Sequence, residues 1–308
     1  MPVDLHRRRT RSRLHSLEFA ALAIAACLSV GFLLGLAVAA ALYIVPVIFR
    51  QPDLAPSREV LIAIPLVAGA AFALAYLPML VWTTLRSGQI VLRRAEARAP
   101  DGLNEKRLAN VLEELSLAAD LPCPKAAIID DDFPNAMTAG RGPGDATVVV
   151  TTGLLHALNR QELQAVVAHE IAHIADGDIR FMTFMAANTS RLQAAMSSVL
   201  DLYNWSWLCL ILWPSVGLAR QGVKVARRGA SRERELLADD TAVALTRDPD
   251  ALVSALTRIG SSTARSALTR DDISMLFIVD PQHTWTGGDS PPLRERIQRI
   301  RQLDPGGR

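Results

Sequence analysis

The chain has 308 residues, 50% hydrophobic and 21% charged, with a formal charge of +2. A charge that near neutrality is too small to argue for nucleic-acid binding, although the basic residues are clustered, and a mean hydropathy of +0.20 predicts a chain part lipid-embedded and part globular. The three cysteines, Cys27, Cys123 and Cys209, are widely spaced and form no Cys-x-x-Cys pair, which argues against both a disulfide framework and a thiolate zinc site.

Phe19 to Phe49 and Val60 to Leu85 carry no charged residue. Each run exceeds the roughly 20 apolar residues a helix needs to cross the hydrocarbon core. Lipid offers no hydrogen-bond partner, so each is expected to be helical. The first run outlasts the hydrophobic stretch of a cleaved signal peptide and a second span follows it, which makes it an uncleaved anchor. Arg7, Arg8, Arg9, Arg11 and Arg13 precede the first span; Arg86, Arg93, Arg94, Arg98, Lys106 and Arg107 follow the second. Positive residues stay inside, so the expected order is a basic cytoplasmic tail (1–16), a span (17–49), a short external loop (50–59), a second span (60–85) and a cytoplasmic domain (86–308).

That domain reads as α+β. Asn104 to Ala119 has helical periodicity, and Pro122 and Pro124 end it. Lys125 to Asp130 is a short strand, Asp131 to Asn135 and Arg141 to Asp145 are turns, and Thr147 to Thr151 is a buried strand. Asn159 and Glu162 have capping-box spacing at the start of a helix that Gly177 closes. Residues 181–219 are apolar, with Trp205, Trp207 and Trp213 suited to a membrane interface. They form either a two-helix hairpin in the bilayer or a stretch that does not cross it. Ser231 is placed to cap a helix carrying Glu235, Asp248-Pro249 opens another, and Pro291 to Leu303 is the last.

Chemistry concentrates in His169-Glu170-Ile171-Ala172-His173. Side chains four apart lie about 40° apart around a helix, so both imidazoles leave one face. At that spacing both rings reach one zinc ion, while Glu170, about 100° round, stands beside the metal as a general base. Catalytic zinc needs a third protein ligand. Glu235 offers one, and Asp239, one turn later, is placed to hydrogen-bond a ligand imidazole. His156 is a competing candidate on a different segment.

Together HEIAHIADGD, the later SRERELLADD, the stretch Phe133 to Gly140, TVVVTTGLL, LFIVDP and PPLRERI resemble the HtpX-type membrane zinc metalloproteases, relatives of the CAAX prenyl proteases. The resemblance implies a mostly helical α+β fold: transmembrane helices, then a zincin-like peptidase domain with a small β-sheet. It implies one Zn2+ per chain on His169, His173 and Glu235, with Glu170 as base and Asp239 in support. It also implies that Asn135 and Ala136 lie on an edge strand that holds an extended substrate. The activity it implies is endopeptidase cleavage of misfolded or damaged membrane proteins, on the cytoplasmic side of a multi-pass protein of the cell (inner) membrane. One departure is Ser290, where the family has a histidine before two prolines; His283 lies nearby.

Overall fold

The computed structural model describes residues 3–188, 232–264, 266, 273–279 and 291–303. Two compact units divide the chain: among the described residues 16–84 form one, and the rest, including the start of the first helix up to His15, belong to the other.

The first unit contains the apolar helices. Helix α1 runs Val3–Ile48 and α2 runs Arg58–Arg94, joined by a loop with one 3-10 turn at Pro52–Leu54. The basic segment 1–16, expected as a separate tail, continues into the same helix from Val3 onward. Arginine is a good helix former, and nothing in that stretch breaks the helix. Leu28–Ile48 and α2 each reach a mean hydropathy of 2.4, yet only 17% and 11% of their most apolar windows are buried. Helices of that length, apolar and exposed, are built for lipid rather than for a protein core. The two helices approach closely at small residues: a Cβ on Gly31 would stand 2.5 Å from the Ala68 carbonyl oxygen, and one on Gly35 2.6 Å from the Pro65 Cα. Close backbone approach through small residues is how helices pack where no hydrophobic drive separates them from lipid.

The second unit is built on a three-stranded sheet, β1 (Lys125–Ile129), β2 (Ala136–Ala139) and β3 (Thr147–Thr151), in the order β1-β3-β2. β1 runs parallel to β3, pairing Lys125 with Thr147 through Ile129 with Thr151; β2 runs antiparallel, pairing Ala136 with Val150 and Ala139 with Thr147. The uninterrupted Val148-Val149-Val150 run suits a central strand buried on both faces. α3 (Leu103–Ala118) covers the sheet with Leu108, Val111 and Leu112, all buried. Behind β3 the chain turns at once into α4 (Thr152–Ala157), with the Thr151 hydroxyl accepting from Leu154 N–H.

α5 (Arg160–Asp176) is the central helix. The Asn159 side chain accepts from Glu162 N–H (2.9 Å), and Glu162 accepts in return from Asn159 N–H (2.8 Å), completing the capping box. Glu162 also receives Ser254 Oγ (2.6 Å) and Arg258 Nε (2.7 Å), which ties the start of α5 to a later helix. Gly177 ends α5 with φ 77°, a left-handed conformation open to glycine at little cost. The chain is helical again over 178–188, here α6. α7 (Arg232–Thr246) and α8 (Pro249–Gly260) pack on α5, and α9 (Leu293–Gln302) packs on α7 and α8. Asp248 caps α8, accepting from Ala251 N–H. Leu163, Val166, Val167, Ile171 and Ile174 of α5 join Ile128, Val148 and Val150 of the sheet and Leu252, Leu256 and Ile259 of α8 in one core. That core fixes where the polar face of α5 points. Ser231 and residues 189–219 of the apolar stretch lie outside the described residues.

Candidate active site

The polar face of α5 carries His169, Glu170 and His173, and α7 lies across it. The rings of His169 and His173 are 4.8 Å apart and nearly perpendicular. Glu235 reaches between them: its Oε2 is 3.5 Å from His169 Nε2 and its Oε1 is 3.6 Å from His173 Nε2. Among the described residues this is the group suited to hold a metal ion, with all its ligand atoms within 4.8 Å of one another. Donors at tetrahedral zinc stand about 3.3 Å apart, from bond lengths of about 2.0–2.2 Å. The 3.5 and 3.6 Å carboxylate–imidazole spacings need only a small inward adjustment. Two of the atoms, His169 Nε2 and Glu235 Oε2, are buried without a hydrogen-bond partner, and a buried polar atom left so is costly unless something fills the place. The residues therefore fit a divalent ion. His156, the competing ligand candidate, is exposed on α4 and does not belong to the group.

Asp239, fully buried, lies one turn beyond Glu235 and sets the tautomer of His169. Its Oδ1 is 2.9 Å from His169 Nδ1, so Nδ1 carries the proton and Nε2 presents its lone pair to the metal position. Burial pulls the His169 imidazole down, but Asp239 and Glu235 outweigh it and raise its pKa to about 9. Burial also pushes the Glu235 carboxyl up, yet His169, His173 and Arg296 together leave it lowered to about 2.

The sequence reading missed Arg296. It sits on α9, is 1% exposed, and places Nε 2.8 Å and Nη2 2.7 Å from the two oxygens of Asp239. Its Nη1 donates to the Ile278 carbonyl (2.7 Å) and lies 3.8 Å from Glu235. A two-pronged guanidinium is the cation best matched to a buried carboxylate. His173 has a looser counterpart. Asp178, just past Gly177, brings Oδ2 to 3.8 Å from His173 Nδ1, and its Oδ1 faces Arg234 at 3.7 Å.

Glu170 lies on the cavity side of α5. Burial raises its carboxyl pKa against the lowering pull of His169 and His173. Its Oε2 accepts from the Thr138 hydroxyl of β2 at 2.7 Å, a contact also missing from the sequence reading. The small cavity beside it, about 20 Å³, is lined by Thr138, Glu170, His173 and Glu235, with Leu276 and Phe277 among the residues closing it.

Asn135 and Ala136 stand where β2 begins, on the sheet edge away from β1. Both are already engaged by the chain itself: Asn135 Nδ2 donates to the Val279 carbonyl (2.7 Å), and Ala136 O accepts from Ile278 N–H (2.9 Å). His283 and Ser290 lie outside the described residues.

Comparison with known proteins gives a consistent picture. The profile of peptidase family M48 matches residues 102–304. A "Protease HtpX homolog" of Thermoanaerobacter pseudethanolicus is 37% identical over 213 residues, covering 64% of this chain and 71% of the relative. Proteins of the same description from Streptococcus gordonii and Streptococcus pneumoniae are each 31% identical. The first match covers 71% of this chain and 80% of the relative; the second covers 79% and 86%. The chain belongs to peptidase family M48 and is an HtpX-type, membrane-associated metalloprotease.

Proposed function

We propose that this M48 peptidase is a zinc-dependent endopeptidase in which His169, His173 and Glu235 hold one Zn2+ and Glu170 is the general base. The observation that carries the reading is the convergence of two imidazoles from α5 and a carboxylate from α7 on one small cavity beside a buried glutamate. Zinc in that place supplies Lewis acidity, polarising the scissile carbonyl and making an attacking water more acidic. Glu170 takes the proton from that water and delivers it to the leaving amine. Its raised pKa brings it nearer the neutral range where proton uptake and release are both favourable. The Thr138 hydroxyl steers which carboxylate oxygen faces the cavity, because it occupies Oε2 and leaves Oε1 free for the water. Asp239, pinned by Arg296, keeps the His169 lone pair aimed at the metal. Asn135 and Ala136 contribute the edge of β2 to an extended substrate.

We assign the substrates to the class of misfolded or damaged membrane proteins, cut on the cytoplasmic side of a multi-pass protein. The arginines flanking the two apolar helices support that orientation. The test is metal analysis with cleavage of an unfolded casein substrate, for the parent chain, Glu170→Gln and Glu235→Ala. The parent is expected to hold one zinc and cleave, Glu170→Gln to hold zinc and not cleave, and Glu235→Ala to hold none. Stoichiometric zinc in Glu235→Ala, or undiminished cleavage by Glu170→Gln, refutes the assignment.

A further inference from the structure

β2 has β3 on one side. In an antiparallel pair, the main-chain groups of alternate residues point to opposite sides. Thr151 N–H donates to Asn135 O (3.0 Å), so Asn135, Met137 and Ala139 turn their main-chain groups to β3, and Ala136 and Thr138 turn theirs to the other edge. That edge runs past Glu170, and an extended peptide adds to such an edge by main-chain hydrogen bonding.

The edge is taken. Residues 277–279 run antiparallel to β2, with Phe277 opposite Met137. Ile278 N–H donates to Ala136 O at 2.9 Å. Asn135 brackets the next residue from both sides: Nδ2 donates to Val279 O (2.7 Å) and Oδ1 receives Val279 N–H (3.3 Å). Arg296 holds the Ile278 carbonyl at 2.7 Å. Leu276, Phe277 and Ile278 also line the cavity that contains Glu170, His173 and Glu235. The roughly 20 Å³ left there accommodates little more than a single water-sized occupant. No residue of a substrate fits while these side chains remain.

We propose that Leu276–Val279 is a built-in pseudosubstrate strap, lying where the substrate strand binds and leaving it when a peptide enters. The proposal rests on the protease reading above. It also specifies the substrate: an extended, apolar segment with a free main-chain N–H at the position Ile278 occupies. Such segments are exposed in unfolded chains and buried in folded ones. The strap thereby keeps the centre closed to folded proteins, and a competing strand opens it.

The test locks the strap in place. Met137→Cys and Phe277→Cys are introduced together into the full chain, in a background of Cys27→Ser, Cys123→Ser and Cys209→Ser, purified in detergent and loaded with zinc. Residues directly opposite across such a pair bring their Cβ atoms to disulfide distance. The diamide-oxidised protein is expected to cleave unfolded casein at least tenfold more slowly than the same protein reduced by a phosphine, with equal zinc content in both states. In a Glu170→Gln version, a fluorescent apolar peptide is expected to bind the reduced form and not the oxidised one. A second variant, Ile278→Pro, removes the N–H that holds the strap to Ala136; KM is expected to fall severalfold. Equal cleavage by the locked and reduced forms overturns the strap alone, as does an unchanged KM in Ile278→Pro. A parent chain that binds no zinc and cleaves nothing sinks the protease reading, and the strap falls with it.

Discussion

Arg296→Met is the most informative single change, because the guanidinium supports the metal ligands without being one of them. The guanidinium donates two hydrogen bonds to Asp239, at 2.7 and 2.8 Å, and one to the Ile278 carbonyl at 2.7 Å. Methionine fills similar volume with no charge. Asp239 then keeps one partner, His169 Nδ1 at 2.9 Å, and is a buried carboxylate without its cation. Breaking one side of a buried pair costs about 3–5 kcal/mol, a large part of a total stability of about 5–15 kcal/mol. A freed Asp239 also orients His169 less firmly, and loss of such support weakens metal binding by about 10–100-fold. Chelator competition with the detergent-solubilised protein measures the metal affinity, and denaturant titration measures the stability. Adding Asp239→Asn to Arg296→Met removes the stranded charge. It is expected to restore a large share of the stability while metal affinity stays low, since an amide polarises the imidazole less than a carboxylate does. If Arg296→Met costs under about 1 kcal/mol and leaves zinc affinity within twofold, the buried pair does not organise the site.

Asp178→Ala is expected to weaken zinc binding less than Asp239→Ala does, by under about tenfold, because Asp178 stands 3.8 Å from His173 and Asp239 2.9 Å from His169; the same chelator competition ranks them. Gly153→Ala places a Cβ 2.1 Å from the Asp132 carbonyl oxygen, so the first turn of α4 has to move away from the Asp131–Asp132 backbone; overpacking of that kind costs about 1–3 kcal/mol, read as a lower melting temperature. The hydrogen bonds from Arg98 lower the Glu105 carboxyl to about 2 from an unfolded value of 4.5. A depressed carboxylate contributes its stability in full above the unfolded value and loses it as pH falls from 4.5 toward 2. Arg98→Leu is therefore expected to shrink the acid destabilisation between pH 6 and 3 by about 1 kcal/mol, after discounting for solvent screening; identical acid profiles for the two proteins would exclude the pair as a contributor.

What was legible in the sequence was local. The capping box at Asn159 and Glu162, the glycine stop at Gly177 and the pairing of His169 with His173 each depend on one helix turn, whose geometry is fixed by 3.6 residues per turn. The same holds for Asp239 beside Glu235. The two long apolar runs were legible because lipid permits little besides helix. What escaped depends on contacts between distant segments: Thr138 with Glu170, Arg296 with Asp239, and the 277–279 strap against β2. β2 is four residues long, with alanine at both ends. It has no alternation strong enough to identify it, and its strand form comes from pairing with β3.

Arg296 nevertheless left two traces. Leu293, Arg296, Ile297 and Ile300 fall at i, i+3, i+4 and i+7, so the arginine lies on the apolar stripe of α9 where a charge needs a reason. The second trace is the charge count. Glu170, Glu235 and Asp239 are three carboxylates assigned to one buried site, and a divalent ion neutralises two of them. Buried charges persist only when paired, so the site reading itself called for one more buried cation. Arg294, Arg299 and Arg301 project from the polar side of the same helix, and the periodicity of α9 leaves Arg296 as the arginine facing inward. The metal centre and the amphipathic pattern of the last helix, read together, thus point to the Asp239–Arg296 pair, although neither feature does so alone.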